Sequence, residues 1–300
     1  MKSLSFKQRM VAGFFSRIPI EKLRRLAKIS FIIPYYHMIS DEALPHLANL
    51  YPYKNVEQFE SDLDFLLEHF HPVDFLTVLK SCQEGTPLPE DSFLLTFDDG
   101  FREIHDIARP VLLKKGIPAL VFVNSAFIDN VECCYSHKAS LIVEALRGGF
   151  SERVLKGLED RLALTFNSFD NLVKYILSIK YNDRATLDII AAEVGFDCGG
   201  FLLNQRPYLT STQIDRMLME GFHIGAHSID HPLYHLLSPE AQVHQTIESM
   251  KEIRSRFSLE YGAFAFPHSD NGVSRKTFHE LYESGVVDIT FGTAGLLDDP

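Results

Sequence analysis

Leu94-Leu95-Thr96-Phe97-Asp98-Asp99-Gly100 is the stretch from which the fold can be read. Phe93 to Phe97 are apolar or β-prone and read as a buried strand. The strand ends on two adjacent carboxylates and a glycine. Successive strand side chains point to opposite faces, so Asp98 and Asp99 diverge and can do different work. An ionised carboxylate taken out of water costs several kcal/mol unless a cation meets it. Asp-Gly also favours tight turns, and that plainer reading stands beside the functional one.

A second segment favours the functional reading. In Gly221-Phe222-His223-Ile224-Gly225-Ala226-His227-Ser228-Ile229-Asp230-His231-Pro232, a short apolar strand runs into His-x-x-x-His. Two imidazoles at this spacing can offer two nitrogen ligands to one ion. Pro232 disfavours the α conformation at His231, so an irregular turn is expected there rather than a helix. Two histidines and one aspartate leave a zinc-like ion with open positions, as catalytic sites require.

With these two motifs the chain resembles the polysaccharide deacetylase family (the NodB-homology domain) over roughly residues 30–130 and 205–295. The family's Thr-Phe-Asp-Asp-Gly stands here as Thr96 to Gly100, and its His-(Ser/Thr)-x-x-His as His227 to His231. The resemblance implies that Asp98 is the general base and that Asp99, His227 and His231 bind one divalent ion, most plausibly zinc. Three departures follow. The family's Arg-x-Pro-Tyr aligns with Ala265-Phe266-Pro267-His268, which lacks the arginine that braces the base. The backbone N–H of His268 still falls where the family stabilises the oxyanion. The family's later tryptophan has no counterpart because the chain has no Trp, and the Leu-x-His that supplies the acid has none before Pro300. Either the sequence is truncated or the acid comes from elsewhere, and His268 could replace the lost acid or the lost brace.

The order of elements agrees with a parallel α/β architecture. Strands are expected at Phe31–Tyr36, Phe93–Phe97, Ala119–Val123, Ala263–Phe266 and Val286–Phe291, with another leading into His227. Helices are expected at Val56–Phe70, over about 103–115, from Thr210 to Gly221, from Ser238-Pro239-Glu240 onward, and at Ser274–Ser284. Residues about 126–205 interrupt this alternation with four helices, Ser136–Arg147, Ser151–Leu164, Phe169–Ile179 and Arg184–Val194. They read as a helical insertion on the active-site side. It could be a substrate lid, an oligomer contact or padding. The expected fold is a distorted (β/α) barrel of about seven strands. Because nothing after Phe291 resembles a last strand, the barrel is expected to be incomplete, with a seam beside Val286–Phe291 open to self-association.

A net charge of −11 argues against nucleic acid as a partner, and 46% hydrophobic content allows a large core. Cys82, Cys133, Cys134 and Cys198 follow no zinc-type spacing and read as free thiols. No apolar run approaches the roughly 18 residues of a membrane span. Residues 1–30 carry eight Lys or Arg against one acid, Glu21, with apolar residues at roughly helical spacing. The segment lacks the apolar core of a signal peptide and could lie on an anionic membrane surface or pack on the barrel. A cytoplasmic, membrane-peripheral location is the expectation.

Residues 31–300 are thus expected to form one deacetylase-like barrel that hydrolyses an acyl group, N-acetyl in the first reading, from a carbohydrate. His37, Pro267 and Asp270 are candidate substrate-binding residues, and His37 could instead contact Asp98. Two alternatives remain. One is a deformylase of a lipid-linked amino sugar, and the other is a degenerate glycan-binding module that has lost its chemistry.

Overall fold

A computed structural model of the chain describes residues 30–293 and, before them, Ile20, Lys22 and Leu26. The expectation for residues 1–30 falls almost wholly outside the described residues. The strands are short: β1 (Phe31–Ile32), β2 (Tyr35–Tyr36), β3 (His71–Pro72), β4 (Ser92–Phe93), β5 (Leu95–Phe97), β6 (Ala119–Val123), β7 (His223–Ala226), β8 (Ala263–Ala265) and β9 (Ile289–Phe291). All pair in parallel, in a small sheet ordered β1-β4-β3 and a six-stranded one ordered β2-β5-β6-β7-β8-β9.

The expected strand Phe31–Tyr36 is divided around Pro34, which has no N–H to donate to a ladder. The expected Phe93–Phe97 is likewise divided at Leu94, although Leu94 N–H still reaches the Ile32 carbonyl at 3.1 Å. The last strand is shorter than Val286–Phe291. β3 and the helix after it were not expected, because a two-residue strand leaves too few positions to show a period.

Helices return each strand to the next. They begin with α1 (Val56–His69), opened by an Asn55–Gln58 capping box, and α2 (Phe75–Glu84), capped by Asp74. The helix expected over about 103–115 starts as a wide π turn, Ile104–Ala108, before α3 (Arg109–Lys115). Pro110 is the physical reason, since it cannot donate to the preceding turn.

The helical insertion is present as α4 (Tyr135–Gly149), α5 (Glu152–Leu162), α6 (Phe169–Ser178) and α7 (Ala185–Val194). An unexpected α8 (Cys198–Gln205) follows, its signal blurred by Gly199 and Gly200. Leu146, Leu158, Leu172, Ile176 and Ile190 give the insertion a core of its own. The chain then returns through α9 (Ser211–Met219), opened by the expected Thr210–Gln213 capping box. α10 (Pro239–Phe257) and α11 (Arg275–Glu283) complete the helices.

Strand alternation divides the buried residues between two faces. Leu95, Phe97, Val121 and Val123 pack with Phe59, Leu63 and Ile253 under the helices, whereas Leu94, Leu120 and Phe122 pack with Phe75 and Ala263. The six-stranded sheet curls without closing, and its edges among the described residues are β2 and β9. A cleft of about 350 Å³ runs between them, lined by Tyr35, Thr96, Asp98, Phe122, Phe291 and Thr293. Among the described residues the barrel is incomplete, as the sequence led us to expect.

The insertion docks on the barrel through a buried aromatic cluster. His137 of α4 stacks on Phe101 and Tyr208, at ring separations of 5.3 and 5.8 Å, and its Nδ1 lies 2.7 Å from the Tyr208 hydroxyl. His46 packs edge-on against His137 at 5.6 Å, and neither of its ring nitrogens has a hydrogen-bond partner among the described residues. Burial lowers the pKa of His137 to about 3, helped by His46, and that of His46 to about 4, helped by Arg102.

Two outcomes are expected. The Cβ of Gly225→Ala in β7 would fall 2.6 Å from the Ala263 carbonyl oxygen and 2.7 Å from the Phe122 ring. Equilibrium urea unfolding should show a loss of about 1–3 kcal/mol. Acid should also destabilise the fold. Unfolded histidines take up protons below about pH 6.5, whereas His46 and His137 resist until about 4 and 3. Stability contributed by keeping these two rings neutral is present above pH 6.5 and lost as the pH falls towards 4. Replacing both by Phe should flatten the pH dependence of the urea midpoint over that window.

Candidate metal centre and catalytic site

Neighbouring strand ends bring the two motifs together. Asp98 and Asp99 follow β5, His227 to His231 follow β7, and β6 lies between them. Asp98 N–H donates to the Tyr36 carbonyl at 2.9 Å and continues the ladder for one more residue. Asp99 then turns to φ 69° and Gly100 to φ 62°. A Cβ on Gly100 would lie 2.8 Å from Val123 Cγ1, so this turn demands glycine for space as well as for conformation.

Asp99, His227 and His231 are buried, and one ligand atom from each lies within 4.8 Å of the others. Asp99 Oδ1 is 3.1 Å from His231 Nε2 and 3.6 Å from His227 Nε2, yet this oxygen has no hydrogen-bond partner among the described residues. His227 Nδ1 faces the Ala265 carbonyl at 2.8 Å, which places the proton on Nδ1 and leaves the Nε2 lone pair for the site. Burial, with His231 next to it, lowers the His227 pKa to about 3, so the imidazole is neutral, as a ligand must be. Burial alone would raise Asp99, but His231, His37 and His227 hold its carboxyl well below the usual range. An anionic oxygen facing two imidazole nitrogens in a buried space fits a divalent cation.

The His-x-x-x-His loop is irregular, with Ser228 at φ 71° and His231 at φ 63°. Such conformations cost free energy for residues with side chains and persist only where the surroundings hold them. Ser228 Oγ accepts the His231 N–H at 3.0 Å. Asn124, just beyond β6, donates to the His227 carbonyl and to Ser228 Oγ. Asp230 points the other way, into the insertion. Its carboxylate accepts from the Tyr181 hydroxyl at 2.7 and 2.8 Å and from Gln245 Nε2 at 2.8 Å, and Arg184 stands 3.6 Å away. Sequence reading missed Asn124, Tyr181 and Gln245. Asn124 alone carried a signal, its position at a strand end.

The other candidates are distributed as follows. His37 Nε2 is 4.0 Å from Asp98 Oδ2, so its nearest charged partner is that carboxylate. Burial pushes Asp98 up to about 6, and His37 works against this shift. The His268 ring is 4.6 Å from that of His231, and His268 holds φ 59° just after the buried Pro267. Asp270 accepts the Thr293 N–H at 3.1 Å and so ties the loop after β8 to the end of β9. At the start of α4, Lys138 is paired with Asp188 at 2.6 Å and His137 is buried against Tyr208.

Comparison with known proteins places this geometry. Residues 156–286 match the family described as polysaccharide deacetylase. The match contains His227, His231 and His268, takes in much of the insertion, and stops short of Asp98-Asp99. No curated protein matches the sequence. Among solved structures, the Streptococcus pyogenes deacetylase PplD in complex with acetate is 16% identical with a TM-score of 0.53, over 88% of this chain and 84% of that one. IcaB from Ammonifex degensii is 17% identical with a TM-score of 0.54, over 88% and 83%. A de-N-acetylase from Aggregatibacter actinomycetemcomitans is 12% identical with a TM-score of 0.53, over 89% of each chain. At these identities the likeness is one of fold. Over residues 156–286 the chain is thus similar to the polysaccharide deacetylase (NodB-homology) family.

The Asp230 brace generates a prediction. Tyr181→Phe removes both bonds from the phenol while leaving Gln245 and Arg184 in place. Isothermal titration with zinc should show binding about tenfold weaker, because groups that orient a ligand loop typically contribute at least that much to metal affinity.

Proposed function

We propose that this protein is a metal-dependent carbohydrate deacetylase that removes an acyl group, N-acetyl in the first instance, from a sugar. The carrying observation is the convergence of Asp99, His227 and His231 on one buried point, with Asp98 on the adjacent residue. Two imidazoles and one carboxylate suit zinc, and a zinc ion held by them would supply Lewis-acid polarisation of the acyl carbonyl.

The remaining chemistry belongs to the chain. Asp98 takes a proton from the attacking water as the new C–O bond forms. The His268 backbone N–H donates to the oxyanion that develops on the carbonyl oxygen. As the C–N bond breaks, the departing amine needs a proton. Burial lowers the His268 pKa to about 4, so its ring is neutral at rest and would pass on the proton that Asp98 takes from water rather than bring one of its own. The ring lies edge-on to that of His231 at 4.6 Å. His37 takes the place of the missing arginine beside Asp98. Pro267 fixes the backbone that presents His268, and Asp270 holds the rim of the same loop. The intact ligand trio favours an enzyme over a degenerate glycan-binding module. The proposed substrate partner is an acylated carbohydrate, and the proposed setting is cytoplasmic, with residues 1–30 against a membrane surface.

The test is acetate release from a panel of N-acetylated oligosaccharides by zinc-loaded protein. Asp98→Asn should abolish release while the protein retains about one zinc per chain by metal analysis. His227→Ala should lose both. Full turnover by the Asp98 variant would overturn the assignment of the base, and an unaltered zinc content in the His227 variant would overturn the metal site.

A further inference from the structure

Tyr51 lies on the loop between β2 and α1. Its ring is 5.6 Å from that of His37, and His37 Nε2 is in turn 4.0 Å from Asp98. The Tyr51 hydroxyl is sealed from solvent and has no hydrogen-bond partner among the described residues. A buried donor left in that condition destabilises the fold. Other tyrosines of this fold are satisfied. The Tyr36 hydroxyl donates to Asp62 at 2.8 Å, Tyr234 pairs with Thr246 at 2.9 Å, and Tyr53 accepts the Leu44 N–H at 2.9 Å.

The surroundings of the Tyr51 oxygen indicate what it faces. Burial keeps the phenol protonated far above its ordinary range, and Asp99, Cys134 and Asp98 reinforce this in that order. The hydroxyl is therefore a neutral donor, on a ring that reaches Asp98 through His37. Tyr51 stands on the loop after β2, on one side of Asp98, whereas His268 stands on the loop after β8, beyond β7. If packing were its only role, the ring would do as well without an oxygen. A donor that no protein group meets, beside a cation site and a base, is suited to a substrate oxygen.

We propose that the Tyr51 hydroxyl is a substrate-binding residue of this centre, donating a hydrogen bond to an oxygen of the bound acyl group. The bond strengthens as negative charge develops on that oxygen, so its contribution falls mainly on turnover. No proton is transferred from the phenol. The inference rests on the hydrolase reading and adds a donor that neither sequence motif contains.

The test compares wild type with Tyr51→Phe, both zinc-loaded, in two assays. In the first, kcat for acetate release should fall about a hundredfold, with KM changed less than about threefold, the pattern for one lost oxyanion donor. In the second, titration calorimetry with acetate, the carboxylate product, should show binding about tenfold weaker to the variant. Zinc affinity should match wild type, and the urea midpoint should be no lower than that of wild type, because the hydroxyl that is removed has no partner in the free protein. Equal kcat and equal acetate affinity in the two proteins would overturn the proposal, as would a loss of activity wholly explained by lost zinc. Should the variant fail to fold, fluorotyrosine-labelled wild type decides. A 19F resonance that shifts on adding acetate only when zinc is bound supports contact, and the absence of such a shift refutes it. If wild type cleaves no acylated sugar but binds acetate through zinc, the hydrolase reading fails, while the acetate affinities still judge Tyr51.

Discussion

Asp99 is a buried anion, and the architecture around it follows from the need to compensate that charge. A carboxylate at the end of a core strand is stable only if cationic or strongly polar groups face it. Here the facing groups are His231 and His227, delivered by a loop two strands away in the sheet. The parallel order β5-β6-β7 sets this separation, because parallel strands present all their C-terminal ends on one side. β6 contributes Asn124, whose side chain ties the histidine loop to its neighbour.

Backbone strain collects at the same end of the sheet. Asp99, Ser228, His231 and His268 all hold positive φ without being glycine. Each follows a strand, and two of them, Asp99 and His231, turn their side chains to a common point with His227. The conformations persist because hydrogen bonds fix them: His231 N–H to Ser228 Oγ, and His268 O from the Thr293 hydroxyl at 3.3 Å. Strain of this kind is affordable where the surrounding structure over-determines the chain.

The insertion is therefore more than an appendage. Its core is separate from that of the barrel, yet it contacts the barrel at two informative points. One is the stack of His137 on Phe101 and Tyr208, directly after the Asp98-Asp99-Gly100 turn. The other is the bond from Tyr181 to Asp230, inside the histidine motif. Both strand-end loops lean on the insertion, so its packing and their geometry are linked.

The sequence alone determined what depends on neighbours along the chain. Alternation and length marked β6 and the strand ending at Asp98. Thr210–Gln213 and Ser238-Pro239 marked helix starts, and two short motifs marked the trio of Asp99, His227 and His231. These features are legible because strand period, capping and motif spacing are local. Tertiary structure alone decided the rest. It paired His37 with Asp98 across two strands, joined Asp230 to the insertion rather than to Asp99, and left the Tyr51 hydroxyl buried with no partner among the described residues. No periodicity records such relations, because the partners are far apart in sequence. Their meeting is set by how a curled parallel sheet gathers its strand ends. Even the shortness of β1 to β4 belongs to that class, since a two-residue strand exists only by virtue of the strand beside it.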